Sequence, residues 1–110
     1  MKKKKLSEEV TKRLDELKDI FVKEFKPERI VLFGSYARGA QKKYSSLDIL
    51  IVARTDMPFY DRLKRAIKIS KGDPPVEPLV YTPAELNTLL TQGDGFAERM
   101  VHEGILLYSK

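Results

Sequence analysis

Two neighbouring residues, Gly34 and Ser35, follow an apolar segment and could form a binding site for an anion. The apolar segment, residues 30–33, predicts a short strand, and Gly34-Ser35 turns that strand into a short helix. Such a turn presents unpaired backbone N–H groups, and glycine lacks the Cβ that would keep a phosphate from the backbone. Ser35 can cap the helix and donate its hydroxyl to a phosphate oxygen. The alternative is an ordinary Gly-Ser turn with a serine cap.

Two acidic residues in later strands, Asp48 and Glu77, could bind a divalent cation. Ser46 and Asp48 are two residues apart in a predicted strand, so their side chains project from one face. Asp48 stands at the head of an apolar run, where an unpaired carboxylate is costly to bury. Glu77 falls in the next predicted strand. Carboxylates of this kind hold Mg²⁺ in proteins, often with substrate phosphates supplying the other ligands. The alternative for each acid is a side chain in water.

The first half of the chain predicts helices around two short strands. Ser7 is a good N-cap for a first helix, which Pro27 stops. Residues 47–53 are apolar almost without alternation, which predicts a strand buried on both faces. Pro58 precedes a second long helix, whose apolar face is predicted from residues at helical spacing: Phe59, Leu63, Ala66, Ile67 and Ser70.

The second half continues the alternation of strand and helix. Pro78 interrupts the predicted strand 76–81, which indicates an edge strand or a bulge. Thr82-Pro83-Ala84-Glu85 is a capping box that begins a short helix, and another helix and a final strand or extended tail follow. The alternation predicts an α/β domain in which helices pack on a small sheet.

Composition and charge limit the class of protein. A chain of 110 residues with 42% apolar residues suits one soluble domain, and no apolar run approaches the roughly 20 residues that cross a bilayer. Without cysteine there is no disulfide or thiolate site. No signal peptide is readable, so we expect a cytoplasmic protein that does not associate with a membrane. Abundant Lys and Glu with few Asn and Gln favour a thermophilic source.

The net charge of +5 comes from the N-terminus. Lys2 to Lys5 are four of the 21 basic residues, so the rest carries 17 basic against 16 acidic residues. We expect residues 1–6 to form a disordered basic tail and residues 7–110 a single domain. Only this tail favours nucleic acid as a partner, so nucleic acid is not the expected ligand.

The run Gly34-Ser35-Tyr36-Ala37-Arg38-Gly39, with Asp48 behind it, resembles the signature of the DNA polymerase β-type nucleotidyltransferases. Their pattern is Gly-Ser, ten residues and Asp-x-Asp, and the resemblance is to the minimal nucleotidyltransferases in particular. This chain keeps the Gly-Ser pair, the spacing and the second acid, but has Ser46 in place of the first. The resemblance covers roughly residues 28–85 and implies a mixed sheet flanked by helices.

The resemblance also implies an activity and a set of site residues. It implies Mg²⁺- or Mn²⁺-dependent transfer of a nucleoside monophosphate from an NTP, with ATP the expected donor, to a hydroxyl. Gly34, Ser35, Arg38 and Ser46 would lie at the nucleotide, and Asp48 and Glu77 would be the metal-binding and catalytic acids. Arg38 is one helical turn beyond Ser35, but a solvated arginine is the alternative.

Two functions remain open at this point. One is a minimal nucleotidyltransferase, slowed by Ser46, that modifies an acceptor such as a partner protein. The other is a degenerate, antitoxin-like module that neutralises a small helical HEPN-type partner without chemistry. A homo-oligomer is compatible with both.

Overall fold

The computed structural model describes residues 6–110, so Lys2 to Lys5 of the predicted tail lie outside the described residues. Leu6 is half-buried and packs against the core. Nine elements follow in chain order: α1 (Glu8–Phe25), β1 (Arg29–Phe33), α2 (Gly34–Arg38), β2 (Leu47–Val52), α3 (Phe59–Ile69), β3 (Val76–Tyr81), α4 (Pro83–Thr91), α5 (Gly95–Glu103) and β4 (Ile105–Ser109). The α/β prediction is confirmed, and the uncertain last segment is a strand.

The four strands form one mixed sheet in the order β3-β2-β1-β4. β1 pairs antiparallel with β2 and β4, whereas β2 and β3 are parallel. β3 is therefore an edge strand, as Pro78 predicts. β2 is central and, apart from Asp48, buried throughout, as its continuous apolar run predicts.

Helices cover both faces of the sheet. Alternate strand residues, including Leu32 and Ile49, point towards buried side chains of α1, α2 and α3. The intervening residues, including Val31 and Leu50, point towards α4 and α5. Phe33 and Asp48 are register partners on this second side, so the face under α5 carries the first of the predicted acids.

The helix ends are fixed largely by the predicted caps. Ser7 accepts a hydrogen bond from the Val10 amide at 3.1 Å, and Thr82 and Glu85 form both halves of the capping box. Ser35 does not cap α2: the N-cap is Phe33, and no side chain caps that helix end. The prediction that Ser35 caps the helix was therefore wrong, because the N-cap lies two residues earlier, at Phe33.

α3 departs from its predicted apolar face. It buries Ala66 and Arg62, whereas Ile67 is 47% exposed. The Arg62 guanidinium donates to the carbonyl oxygens of Met57 and Val80 and to the Glu85 carboxylate, at 2.7, 3.1 and 2.7 Å. This buried cation joins α3, β3 and α4. Its bond to Glu85 is the main cause that lowers the pKa of that carboxyl.

Within residues 6–110, no helix combines the length and apolar character that crossing a membrane requires.

Candidate active site

The turn between β1 and α2 brings the backbone of Gly34 against the carboxylate of Asp48. Gly34 has a φ of +75°, which glycine adopts without strain. A Cβ at this position would overlap the Asp48 carboxylate and lie 2.8 Å from its Cγ. The absent side chain of Gly34 thus makes room for the Asp48 carboxylate itself, a use that the sequence analysis did not anticipate.

Asp48 and Glu77 occupy one row across the sheet. They are register partners on the parallel strands β2 and β3, so their side chains leave the same face next to each other. Glu77 is close enough to raise the pKa of Asp48 through its negative charge and by accepting a hydrogen bond from Asp48 when Asp48 is protonated. Asp48 is half-buried and Glu77 is exposed. The pair therefore brings two acidic groups together at the open end of the sheet.

The pKa of Asp48 is raised from 3.8 to about 6. Burial of the carboxyl is the largest cause, because the charged form loses water. The hydrogen bond to Glu77 and the negative charge of Glu77 act in the same direction, and the positive charge of Arg38 opposes them. Two neighbouring acidic side chains attract a divalent cation, whose charge would offset the repulsion between their ionised forms.

These residues line one cleft of about 300 Å³ at the end of the sheet. Of the six residues predicted for the site, the lining includes Gly34, Arg38, Asp48 and Glu77. Ser35 and Ser46 are half-buried and do not belong to the lining. Ser46 also precedes β2 instead of lying within it, because the strand begins at Leu47.

The opposite wall of the cleft comes from α5, which the sequence analysis did not connect with the site. Phe96, Arg99, Met100 and Glu103 line it from one face of the helix. The floor includes Phe33, Pro78 and Leu79. The spacing of three and four residues on α5 signals a common face, but only the tertiary packing of α5 over β1 places that face at the cleft.

The acid pair suits a cation that receives further ligands from a substrate. Within the described part of the chain, no group of three or more His, Cys, Asp or Glu side chains could hold a metal ion by itself. Mg²⁺ commonly uses one or two protein carboxylates and takes its other ligands from water and substrate phosphates. Asp48 and Glu77 meet this smaller requirement.

Comparisons with known proteins agree with the fold and with a nucleotidyltransferase family. An alignment over 61 positions, which covers 51% of this chain and 61% of the relative, shows 38% identity to "Putative protein adenylyltransferase MJ0141" of Methanocaldococcus jannaschii. The chain thus spans less than two thirds of that relative.

Two solved structures share the fold. The crystal structure of a "putative nucleotidyltransferase" from Sulfolobus solfataricus matches 90% of this chain and 79% of its own, with a TM-score of 0.62 and 24% identity. A chain of a toxin-antitoxin crystal structure with AMP-PNP matches 88% of this chain and 73% of its own, with a TM-score of 0.59 and 19% identity.

The family model described as "Polymerase beta, Nucleotidyltransferase" matches residues 15–110, which include every strand and all of the cleft. The chain therefore belongs to the polymerase β-type nucleotidyltransferase family.

Proposed function

We propose that this chain transfers a nucleoside monophosphate, AMP in the first instance, from an NTP to a hydroxyl group. The observation that carries the proposal is the meeting of Gly34, Arg38, Asp48 and Glu77 in one cleft. The name of the relative from Methanocaldococcus jannaschii supports adenylyl transfer as the form of the reaction.

Asp48 and Glu77 would hold Mg²⁺ or Mn²⁺ together with oxygens of the NTP. When bound, the ion neutralises charge on the phosphates and makes the acceptor hydroxyl easier to deprotonate. Arg38 adds a fixed positive charge at the same end of the cleft and binds a phosphate oxygen of the NTP.

The transfer forms a bond between the acceptor oxygen and the α-phosphorus and breaks the bond to the β-phosphate oxygen, which leaves with pyrophosphate. The acceptor hydroxyl loses its proton to the carboxyl pair, which passes it to water. The proximity of Arg38 limits the rise in the pKa of Asp48. With that pKa at about 6, Asp48 is mostly ionised at neutral pH and available for this role.

Ser46 weakens this machinery. A serine hydroxyl is neutral and cannot bridge two ions as a carboxylate does. The site therefore has one carboxylate fewer than the complete acid set of the family pattern. We expect a rate lower by about 10² to 10⁴ than with a complete acid set, the range that loss of general-base assistance commonly gives.

The acceptor is proposed to be a hydroxyl of another protein. A cleft of about 300 Å³ is near the lower limit for a small-molecule site, so a nucleotide fills it and the acceptor must approach from outside. The toxin-antitoxin structure with AMP-PNP shares this fold and supports a partner protein. We propose a small helical HEPN-type protein as that partner.

A binding module without chemistry is the second candidate function. The observation that favours it is Ser46, which leaves two acids in the predicted metal site. On this hypothesis the chain neutralises its helical partner by association alone.

Labelled ATP separates the two functions. The chain, Mg²⁺ or Mn²⁺, α-labelled ATP and the product of the adjacent gene are incubated, and label on the protein is measured. The enzyme hypothesis predicts labelling that Asp48→Asn abolishes and that Asp56→Asn, an exposed acid outside the cleft, leaves unchanged. A tight complex that never acquires label would support the binding module.

A further inference from the structure

The α5 wall of the cleft has no role in the proposed transfer chemistry. Met100 is buried there, whereas Phe96 is 46% exposed. The neighbouring floor is apolar, since Phe33, Pro78 and Leu79 contribute to it. Arg99 and Glu103 are charged members of the same wall. The cleft therefore has a charged end at the acid pair and an apolar part of its lining at Phe96, Met100 and the floor, which we call the apolar end.

Phe96 is a partly exposed aromatic ring at this apolar end. Its one ring contact among the described residues is with Phe33, at 5.7 Å between centroids and an angle of 84°. A perpendicular contact covers at most one face of a ring, so at least one face of Phe96 is not covered by Phe33. Phe33 itself is only 8% exposed. Phe33 is thus a packing residue that supports Phe96, and Phe96 is the ring that a ligand can reach.

The position of Phe96 relates it to the charged end. Its contact residue Phe33 directly precedes Gly34 and is the register partner of Asp48. A nucleotide with its phosphates at Arg38 and the acid pair would therefore extend its base along the apolar floor beside Phe96. Every nucleobase has a flat π-face, and stacking on aromatic side chains is a common way to bind one.

We propose that Phe96 forms a nucleobase subsite, in which the base of the bound NTP stacks on the exposed face of the ring. This inference rests on the proposed function, because it takes the charged end of the cleft as the phosphate site. Purines overlap a phenyl ring over a larger area than pyrimidines, so ATP and GTP bind more tightly than CTP and UTP.

Calorimetric binding of ATP and of inorganic tripolyphosphate, each with Mg²⁺, tests the subsite. Stacking measured by alanine substitution predicts that Phe96→Ala weakens ATP binding by about 5- to 150-fold and leaves tripolyphosphate binding within about twofold. Phe96→Tyr keeps the ring and retains ATP affinity. Phe59→Ala is the matched control, because Phe59 is 39% exposed with one ring neighbour and lies outside the cleft.

The outcomes separate the subsite from the proposed function. If the native chain binds neither ligand, the proposed function fails and the subsite fails with it. If the native chain binds both and Phe96→Ala binds ATP equally well, or loses both ligands equally, only the subsite is overturned. Phe96→Leu is the control for the chance that Phe96→Ala unfolds the chain, because leucine fills similar space against Phe33 but has no π-face. If the subsite exists, Phe96→Leu must also lose affinity for ATP and keep its affinity for tripolyphosphate.

Discussion

The ionised carboxylate of Asp48 lowers the free energy of unfolding, and a substitution that removes its charge should raise that free energy. Its pKa is raised from 3.8 to about 6, mainly by burial and then by Glu77. Since the native pKa exceeds the unfolded one, the native state binds more protons between these values, and the free energy of unfolding falls as pH rises through this window. Above about pH 6 the full cost is present, and below about pH 4 it is absent.

The size of the cost follows from the shift in pKa. A shift of about two units corresponds to about 3 kcal/mol as an upper limit. Asp48 is half-buried and water reaches its carboxylate, so we discount this figure to about 1–1.5 kcal/mol. Asp48→Asn, which is nearly isosteric and can donate to Glu77, should therefore increase the free energy of unfolding by about 1–1.5 kcal/mol at about pH 7.5.

Urea unfolding with EDTA present measures this effect without bound cations. Asp48→Asn should stabilise the chain near pH 7.5 and leave it unchanged near about pH 4, where the native aspartic acid is protonated. Asp56→Asn, an exposed acid, should have no effect at either pH. A destabilised Asp48→Asn at the higher pH, or a gain that does not depend on pH, would refute the reasoning.

Three further substitutions test other parts of the account. Ser46→Asp adds a carboxylate and should tighten Mn²⁺ binding in the presence of ATP by about tenfold in a spectroscopic titration. Ser45→Asp is the control and should not tighten it. Equal effects of the two substitutions would place position 46 away from the metal. Gly34→Ala puts a Cβ into the space of the neighbouring carboxylate at positive φ, so urea unfolding should show a loss of about 2 kcal/mol, and calorimetry should show loss of ATP binding. Arg62→Met removes the donor that two carbonyl oxygens and the Glu85 carboxylate share, and only the carboxylate keeps another donor named here, the Thr82 N–H. It should cost about 2 kcal/mol in urea unfolding, and an unchanged midpoint would show that the ion pair contributes nothing.

Local patterns were sufficient to predict most of the fold. The continuous apolar run of β2 predicts a strand buried on both faces, and Pro78 predicts the edge position of β3, because each follows from the hydrogen bonds and contacts of that strand alone. Asp48 and Glu77 could be brought together from the sequence only through the resemblance to a family. Their juxtaposition depends on β2 and β3 being adjacent, parallel and in register.

The parts that sequence reasoning missed depend on long-range packing. Arg62 sits at helical spacing among apolar residues, yet it is buried because three acceptors from distant elements surround its guanidinium. The α5 wall with Phe96 has an ordinary amphipathic pattern, and nothing local indicates which end of the sheet it covers. The space that Gly34 leaves for the Asp48 carboxylate depends on a contact between the start of α2 and β2, which no local pattern indicates.

The central claim is that the acid pair and Arg38 form one site for a polyphosphate. A crystal structure of the chain with Mn²⁺ and a non-hydrolysable NTP analogue tests it most directly. We predict an anomalous manganese peak in contact with carboxylate oxygens of Asp48 and Glu77, and the triphosphate beside Arg38. Nucleotide bound elsewhere on the chain, with no manganese at this acid pair, would contradict the account.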